Sequence, residues 1–301
     1  MADNAPIIVI DRETGEPFVE TVLGEKWIRW AYQDSSSGIL ERILFRSTCV
    51  SKLMGKWYDS SFSRGKIDAV IEELAIDVDE FAQPKESYRS FNEFFTRQLK
   101  PDVRPFRTDP ELFVSPADGR ALVFPSLDED TFAPVKGRPF SIRKMLPGHA
   151  DRFTNGALAI VRLCPADYHR YHFPCAGNIT EYGSIAGALH SVNPIALRSG
   201  SDVFGDNKRS YTLIDTEHAG TLCFMEIGAF GVGGIVNTRC SGHVEKMEEK
   251  GYFKFGGSSV VLLFEPGRIR FCEDLVTNSD AGKETLVKVG QPLATAISRE
   301  D

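Results

Sequence analysis

The stretch Lys254-Phe255-Gly256-Gly257-Ser258-Ser259-Val260-Val261-Leu262-Leu263-Phe264 decides the class of the fold. Its last five residues are apolar without alternation and open on two β-branched side chains, the pattern of a strand buried on both faces. The Gly-Gly pair ahead of Ser258 lets the backbone adopt strained angles and leaves the preceding carbonyl unshielded by any side chain. Gly-Ser pairs before strands are mostly turns, so the motif alone assigns no chemistry.

Outward from this strand, Pro266-Gly267 is expected to join it to Arg268–Cys272 as a hairpin. Ala157–Cys164, Leu222–Ile227 and Gly234–Arg239 read as further strands. The first hundred residues read differently, with apolar positions at helical spacing: Ile39, Leu40, Ile43, Leu44; then Val50, Leu53, Met54, Trp57; then Ile67, Val70, Ile71, Leu74. Ser90 and Glu93 form an S-x-x-E capping pattern that predicts a helix start, and Lys100-Pro101 predicts its end. Helices first and strands afterwards indicate an α+β chain. A helical region over 1–105 is expected to precede a β-rich, sandwich- or barrel-like catalytic domain over 106–301.

With 301 residues and 42% apolar content the chain can bury a core, and a net charge of −7 excludes a global basic footprint for nucleic acid. The six cysteines include no CxxC pair and read as reduced thiols. No run reaches the length of a membrane span, and the start lacks a basic region and an apolar core of signal-peptide length. Between Gly38 and Lys66, however, Arg42, Arg46, Lys52, Lys56, Arg64 and Lys66 face only Glu41 and Asp59, and Trp27, Trp30 and Trp57 lie in or near this segment. Such a segment suits a lipid interface; by itself it reads first as a helix packed on its own domain with a solvated basic face.

Two further segments carry residues fit for chemistry. Arg162-Leu163-Cys164-Pro165-Ala166-Asp167-Tyr168-His169-Arg170-Tyr171-His172-Phe173-Pro174 holds two histidines, the usual proton carriers near neutral pH. Their spacing does not match the H-E-x-x-H zinc pattern and no cysteine cluster completes a tetrad, so no metal is expected. Ser115-Pro116-Ala117-Asp118-Gly119 places an aspartate before a glycine, by itself a common turn signal. Asp118, His172 and Ser258 together make an Asp, His, Ser set, which does not by itself distinguish a hydrolase from other chemistries.

In several blocks in order, the sequence resembles the phosphatidylserine decarboxylase family from about Ser90 onward. They are Ser90-Phe91-Asn92-Glu93-Phe94-Phe95-Thr96-Arg97, the S-P-A-D-G block, D-Y-H-R-Y-H-F-P from Asp167, Ser191-Val192-Asn193-Pro194 and Gly228-Ala229-Phe230-Gly231-Val232-Gly233. The G-S-S block and Lys288-Val289-Gly290-Gln291-Pro292-Leu293-Ala294 complete the set. Many members of the family have Leu-Gly-Ser-Thr at the processing site, where this chain has Gly256-Gly257-Ser258-Ser259.

The resemblance implies a proenzyme. Supported by Asp118, His172 is expected to deprotonate Ser258, whose oxygen attacks the Gly257 carbonyl; elimination then leaves a pyruvoyl group at Ser258, with chains 1–257 and 258–301 held together noncovalently. The pyruvoyl group is the implied cofactor, forming a Schiff base with the amine of phosphatidylserine. His169 is the implied acid that protonates the α-carbon to give phosphatidylethanolamine, and Asp167 orients the loop. The implied partners are phosphatidylserine and a membrane surface, on the cytoplasmic side of a bacterial membrane, with a homodimer as the expected assembly. Alternatives are a pyruvoyl decarboxylase of a soluble amino acid, a serine hydrolase using Asp118, His172 and Ser258, and a noncatalytic carrier-like β domain.

Overall fold

Val260 to Phe264 are apolar throughout because their strand lies in the interior of a sheet covered on both faces. The computed structural model describes residues 6–25, 48–127, 141–195, 202–229, 234–255 and 258–297. The expected helix around Ile39–Leu44, together with Trp27, Trp30, Arg42, Arg46, residues 230–233 of the Gly-rich block, Gly256 and Gly257, lies outside them.

In chain order the strands are β1 (Ile8–Asp11), β2 (Pro17–Val19), β3 (Leu112–Val114), β4 (Gly119–Phe124), β5 (Ala157–Leu163), β6 (Arg170–His172), β7 (Gly177–Ile185) and β8 (Arg209–Thr216). They continue with β9 (Gly220–Gly228), β10 (Ile235–Asn237), β11 (Gly242–Val244), β12 (Glu249–Phe253), β13 (Ser258–Phe264), β14 (Ile269–Phe271), β15 (Glu284–Val287) and β16 (Pro292–Ala296). Ten of them form one mixed sheet in the order β11-β7-β8-β9-β13-β5-β4-β15-β1-β2. Two three-stranded sheets, β10-β12-β6 and β14-β16-β3, complete an α+β architecture. The large sheet ends on β11 and β2 and is open, so the body is sandwich-like and not a closed barrel.

Strand β13 is paired along its whole length, with β5 from Ser258↔Leu163 to Phe264↔Ala157 and with β9 from Ser258↔Gly228 to Phe264↔Leu222. Alternation then sorts its side chains. Val260, Leu262 and Phe264 join a core with Tyr171, Phe173 and Phe253 from the side of β6 and β12, and with Phe113, Ile269, Phe271 and Leu293 from the third sheet. On the opposite face Val261 and Leu263 pack with Ile160, Ile227, Met145 and Phe153. Each such buried side chain contributes about 1.5–3 kcal/mol relative to exposure.

The hairpin expected at Pro266-Gly267 does not form. Gly267 supplies the positive φ of 67° for a turn, but β14 leaves the large sheet and pairs with β16. Both edges of β13 are already occupied, so the chain turns a corner into the second layer. The start of the chain also departs from a helical reading: β1 pairs in parallel with β15 and antiparallel with β2.

Helices α1 (Thr48–Asp59), α2 (Ile67–Glu73) and α3 (Phe91–Phe95) follow the predicted periodicities. Ile67, Val70, Phe81, Tyr88, Phe91, Phe94 and Phe95 form their own apolar cluster, against which Phe255 packs. Ser90 caps α3 as expected, its hydroxyl accepting from the Glu93 N–H at 3.2 Å. Glu93 accepts from the Arg89 N–H at 2.7 Å instead of closing the box on Ser90, and α3 stops at Phe95, short of Lys100-Pro101.

Candidate active site

Main-chain hydrogen bonds tie several of the sequence blocks to one another and to the segment ahead of β13. The His172 N–H donates to Pro116 O at 2.8 Å, tying the histidine block to S-P-A-D-G. The Phe253 N–H donates to His169 O at 2.9 Å, tying it to the segment before Ser258. Ser115 N–H donates to Gln291 O at 2.7 Å and Gly290 N–H to Ser115 O at 3.0 Å, which brings in the closing block. Gly119 must be glycine here: a Cβ would stand 2.6 Å from the Arg162 carbonyl oxygen, so any larger residue would push β4 off β5 beside Asp118.

Ser258 opens β13 on the same face as Leu163 and Val260, while Ser259 belongs to the face of Ile227 and Val261. Both serines are buried, and neither hydroxyl has a hydrogen-bond partner among the described residues. An unpartnered buried hydroxyl costs free energy unless a reaction or ligand uses it. Gly257, the other half of the expected scissile bond, lies outside the described residues.

His169 sits on the loop between β5 and β6, its ring 3.8 Å from that of Phe95 of α3. Its Nδ1 lies 2.9 Å from the Asp167 carbonyl oxygen, which only accepts, so Nδ1 carries the proton and Nε2 is a lone pair without a partner among the described residues. Burial pushes its pKa down to about 3. His172, at the end of β6, is depressed to about 4 by burial and by Arg170, and its Nδ1 has no partner among the described residues. Both rings are neutral at pH 7, the state in which an imidazole accepts a proton.

Asp118, just before β4, is buried and is not hydrogen-bonded to His172. Its carboxylate accepts from Arg104 Nε at 3.1 Å, Arg104 Nη2 at 2.6 Å and the Val289 N–H at 2.8 Å. Arg104 in turn reaches Glu80 through Nη1 and Nη2, both at 2.9 Å. Burial raises the Asp118 carboxyl pKa, against the opposing pull of Arg104.

The Asp167 carboxylate joins a buried charge network. Its Oδ2 accepts from Arg120 of β4 and from the Cys164 N–H, tying the loop that carries His169 to β4 and to its own first residue. Arg120 also meets Glu20, which pairs with Arg162 at 3.0 Å, and Arg162 pairs with Glu284. Burial alone would raise the Asp167 carboxyl; Arg120 and the Cys164 N–H hold it below its ordinary value.

Sequence reading gave no role to Arg104, Arg120 or Glu20. No local pattern marks them, because each is defined by a partner from a distant segment. Five cysteines, Cys164, Cys175, Cys223, Cys240 and Cys272, are free thiols, in keeping with the reduced reading.

The sequence profile of the phosphatidylserine decarboxylase family matches residues 91–295. Curated relatives named phosphatidylserine decarboxylase proenzyme include one from Chlamydia trachomatis, 38% identical over 295 residues that cover 97% of this chain and 98% of the relative. Others come from Clostridium perfringens, 37% identical with 95% and 99% covered, and Clostridium kluyveri, 37% identical with 94% and 97% covered. The blocks tied together here are thus part of a likeness running the length of the chain, which belongs to the phosphatidylserine decarboxylase family.

Proposed function

We propose that this chain is the precursor of a carboxy-lyase that converts phosphatidylserine to phosphatidylethanolamine and carbon dioxide, and that it makes a pyruvoyl cofactor from its own Ser258. The observation that carries the reading is the buried hydroxyl of Ser258, without a partner among the described residues and placed at the start of a fully paired strand directly after Gly256-Gly257 in sequence. The names of the relatives, as proenzymes, support the same reading.

In the proposed self-cleavage, neutral His172 takes the Ser258 hydroxyl proton while Oγ attacks the Gly257 carbonyl carbon. The new C–O bond replaces the C–N bond, and the proton passes to the released Ser258 amine, giving an ester. Removal of the Ser258 α-proton expels the Gly257 carboxylate by cleavage of Cβ–Oγ and leaves dehydroalanine. This tautomerises to an imine, takes up water and releases ammonia; no oxidant is required. Asp118, paired with Arg104 at 2.6 Å, is the carboxylate that would support His172 in this step.

A pyruvoyl group fits the residues present: position 258 is buried on an apolar face, and His169 offers an unpartnered Nε2. When formed, the group supplies an electron sink for the pair left as carbon dioxide departs. His169, neutral with its Nε2 lone pair free, accepts the proton of the substrate ammonium and returns it to the α-carbon, acting as the proposed acid. Asp167 and Arg120 hold its loop in place.

Cleavage between Gly257 and Ser258 would release β13 to β16 as a separate chain. That chain would stay attached, because β13 pairs with β5 and β9, β15 with β1 and β4, and β16 with β3. We assign chemistry to 106–301 and membrane docking to the region up to 105. Around α1, Leu53, Trp57 and Phe62 are 72%, 40% and 86% exposed, and Lys56, Arg64 and Lys66 are exposed beside them. No helix among the described residues is long and apolar enough to cross a membrane.

The test is an intact mass of the purified protein beside Ser258→Ala. Fragments 1–257 and 258–301 in the wild type only, the shorter carrying a pyruvoyl end, support the reading. A single uncut mass in both, with hydrolase labelling of Ser258, would move the assignment to a serine hydrolase.

A further inference from the structure

The S-F-N-E-F-F-T-R block takes no part in the chemistry above, yet it grips the segment that leads to the proposed scissile bond. Asn92, on α3, is buried. Its Oδ1 accepts from the Phe255 N–H at 2.9 Å, and its Nδ2 donates to Asp59 Oδ1, also at 2.9 Å. Asp59, at the end of α1, receives Lys254 Nζ at 3.1 Å on both carboxylate oxygens. The Phe255 ring is enclosed by Tyr58, Phe91 and Phe95, with centroids 4.5, 5.0 and 5.1 Å away.

The three residues ahead of the glycine pair are therefore fixed one by one. Phe253 N–H is held by His169 O, Lys254 N–H by Gly234 O at 2.9 Å, and Phe255 N–H by the Asn92 side chain. On the far side Ser258 is locked by pairing to β5 and β9. Two glycines alone bridge these anchors, and glycine carries the largest conformational freedom of any residue. Intramolecular attack is fast only when the reacting atoms are held near their contact geometry, so an anchor next to such a bridge acts on the rate.

Resting on the self-cleavage reading, we infer that Asn92, aligned by Asp59, is a positioning residue for chain cleavage: it fixes the upstream end of the scissile segment so that the Gly257 carbonyl is presented to Ser258. The side chain must be an amide because one end accepts from a main-chain N–H while the other donates to a carboxylate. A carboxylate at position 92 would keep the first bond and set two anions face to face in the second.

That polarity supplies the test, with conversion of freshly folded precursor to fragments 1–257 and 258–301 followed by mass. Asn92→Ala and Asn92→Asp are expected to cleave about tenfold more slowly, the rate equivalent of one lost hydrogen bond. Adding Asp59→Asn to Asn92→Asp reverses the donor and acceptor across the pair and is expected to restore most of the rate. The exchange decides the matter even where Asn92→Ala fails to fold. Cleavage of a folded Asn92→Ala precursor at the wild-type rate, or a double variant no faster than Asn92→Asp alone, would overturn the inference. An uncut wild-type chain would instead overturn the self-cleavage reading beneath it.

Discussion

Arg104 grips the Asp118 carboxylate through Nε and Nη2 and Glu80 through Nη1 and Nη2, so a residue outside every sequence block opposes the upward push of burial on the expected triad aspartate. Arg104→Gln should leave Asp118 buried without its cation, held only by the Val289 N–H, a change worth about 3–5 kcal/mol in stability. The Asp118 pKa would rise further, so any step that needs its carboxylate would recover as pH increases. We expect cleavage at pH 7 to fall and the acid limb of its pH–rate profile to move upward; a profile unchanged in position would separate Asp118 charge from the reaction.

The two histidines should fail differently. His172→Gln is expected to leave the precursor uncut, whereas His169→Gln should still cleave and then lack decarboxylation. Mass of the chains and carbon dioxide release from phosphatidylserine vesicles read the two steps separately. Because the His172 pKa lies at about 4, its share of the cleavage rate should hold from pH 8 down to about 5.

The same depressed values make the precursor sensitive to acid. A folded pKa below the unfolded value near 6.5 means that the unfolded chain binds more protons as pH falls. Stability is then complete above about pH 6.5 and is lost towards pH 4, by roughly 3 kcal/mol for His172 alone. Thermal midpoints of Ser258→Ala at pH 7.5 and pH 5 should differ by more than those of the same chain carrying His172→Gln.

Arg120 joins β4 to Asp167 and Glu20 in the interior. Arg120→Ala leaves those carboxylates without this partner and should destabilise the fold by about 3–5 kcal/mol. Asp167→Asn keeps the shape but weakens the charge-assisted bond to Arg120. We expect it to cleave normally and to lose decarboxylation more than stability, since the loop it pins carries His169; parallel losses of both would reduce Asp167 to a folding role.

Membrane docking can be read by sedimentation with vesicles rich in anionic lipid. Replacing Leu53, Trp57 and Phe62 with serine should abolish binding at all salt concentrations, whereas Lys56→Gln with Lys66→Gln should weaken it mainly at low salt. Binding unaffected by either set would place the lipid contact elsewhere.

The chain's own pattern determined the continuous apolar strand after Ser258, the Ser90 cap, the helical spacing over Ile67–Leu74 and the blocks that reveal the family. These are legible because periodicity, capping and motifs act over a few neighbouring residues. Tertiary structure alone decided that β13 stands between β5 and β9, that β14 leaves for another sheet, and that the first residues add strands to the large one. It also decided the partners of Asp118, Asp167 and Asn92, each supplied by another segment of the chain. Strand partners and buried ion pairs depend on long-range closure and on which faces are already occupied, and neither leaves a trace in local sequence.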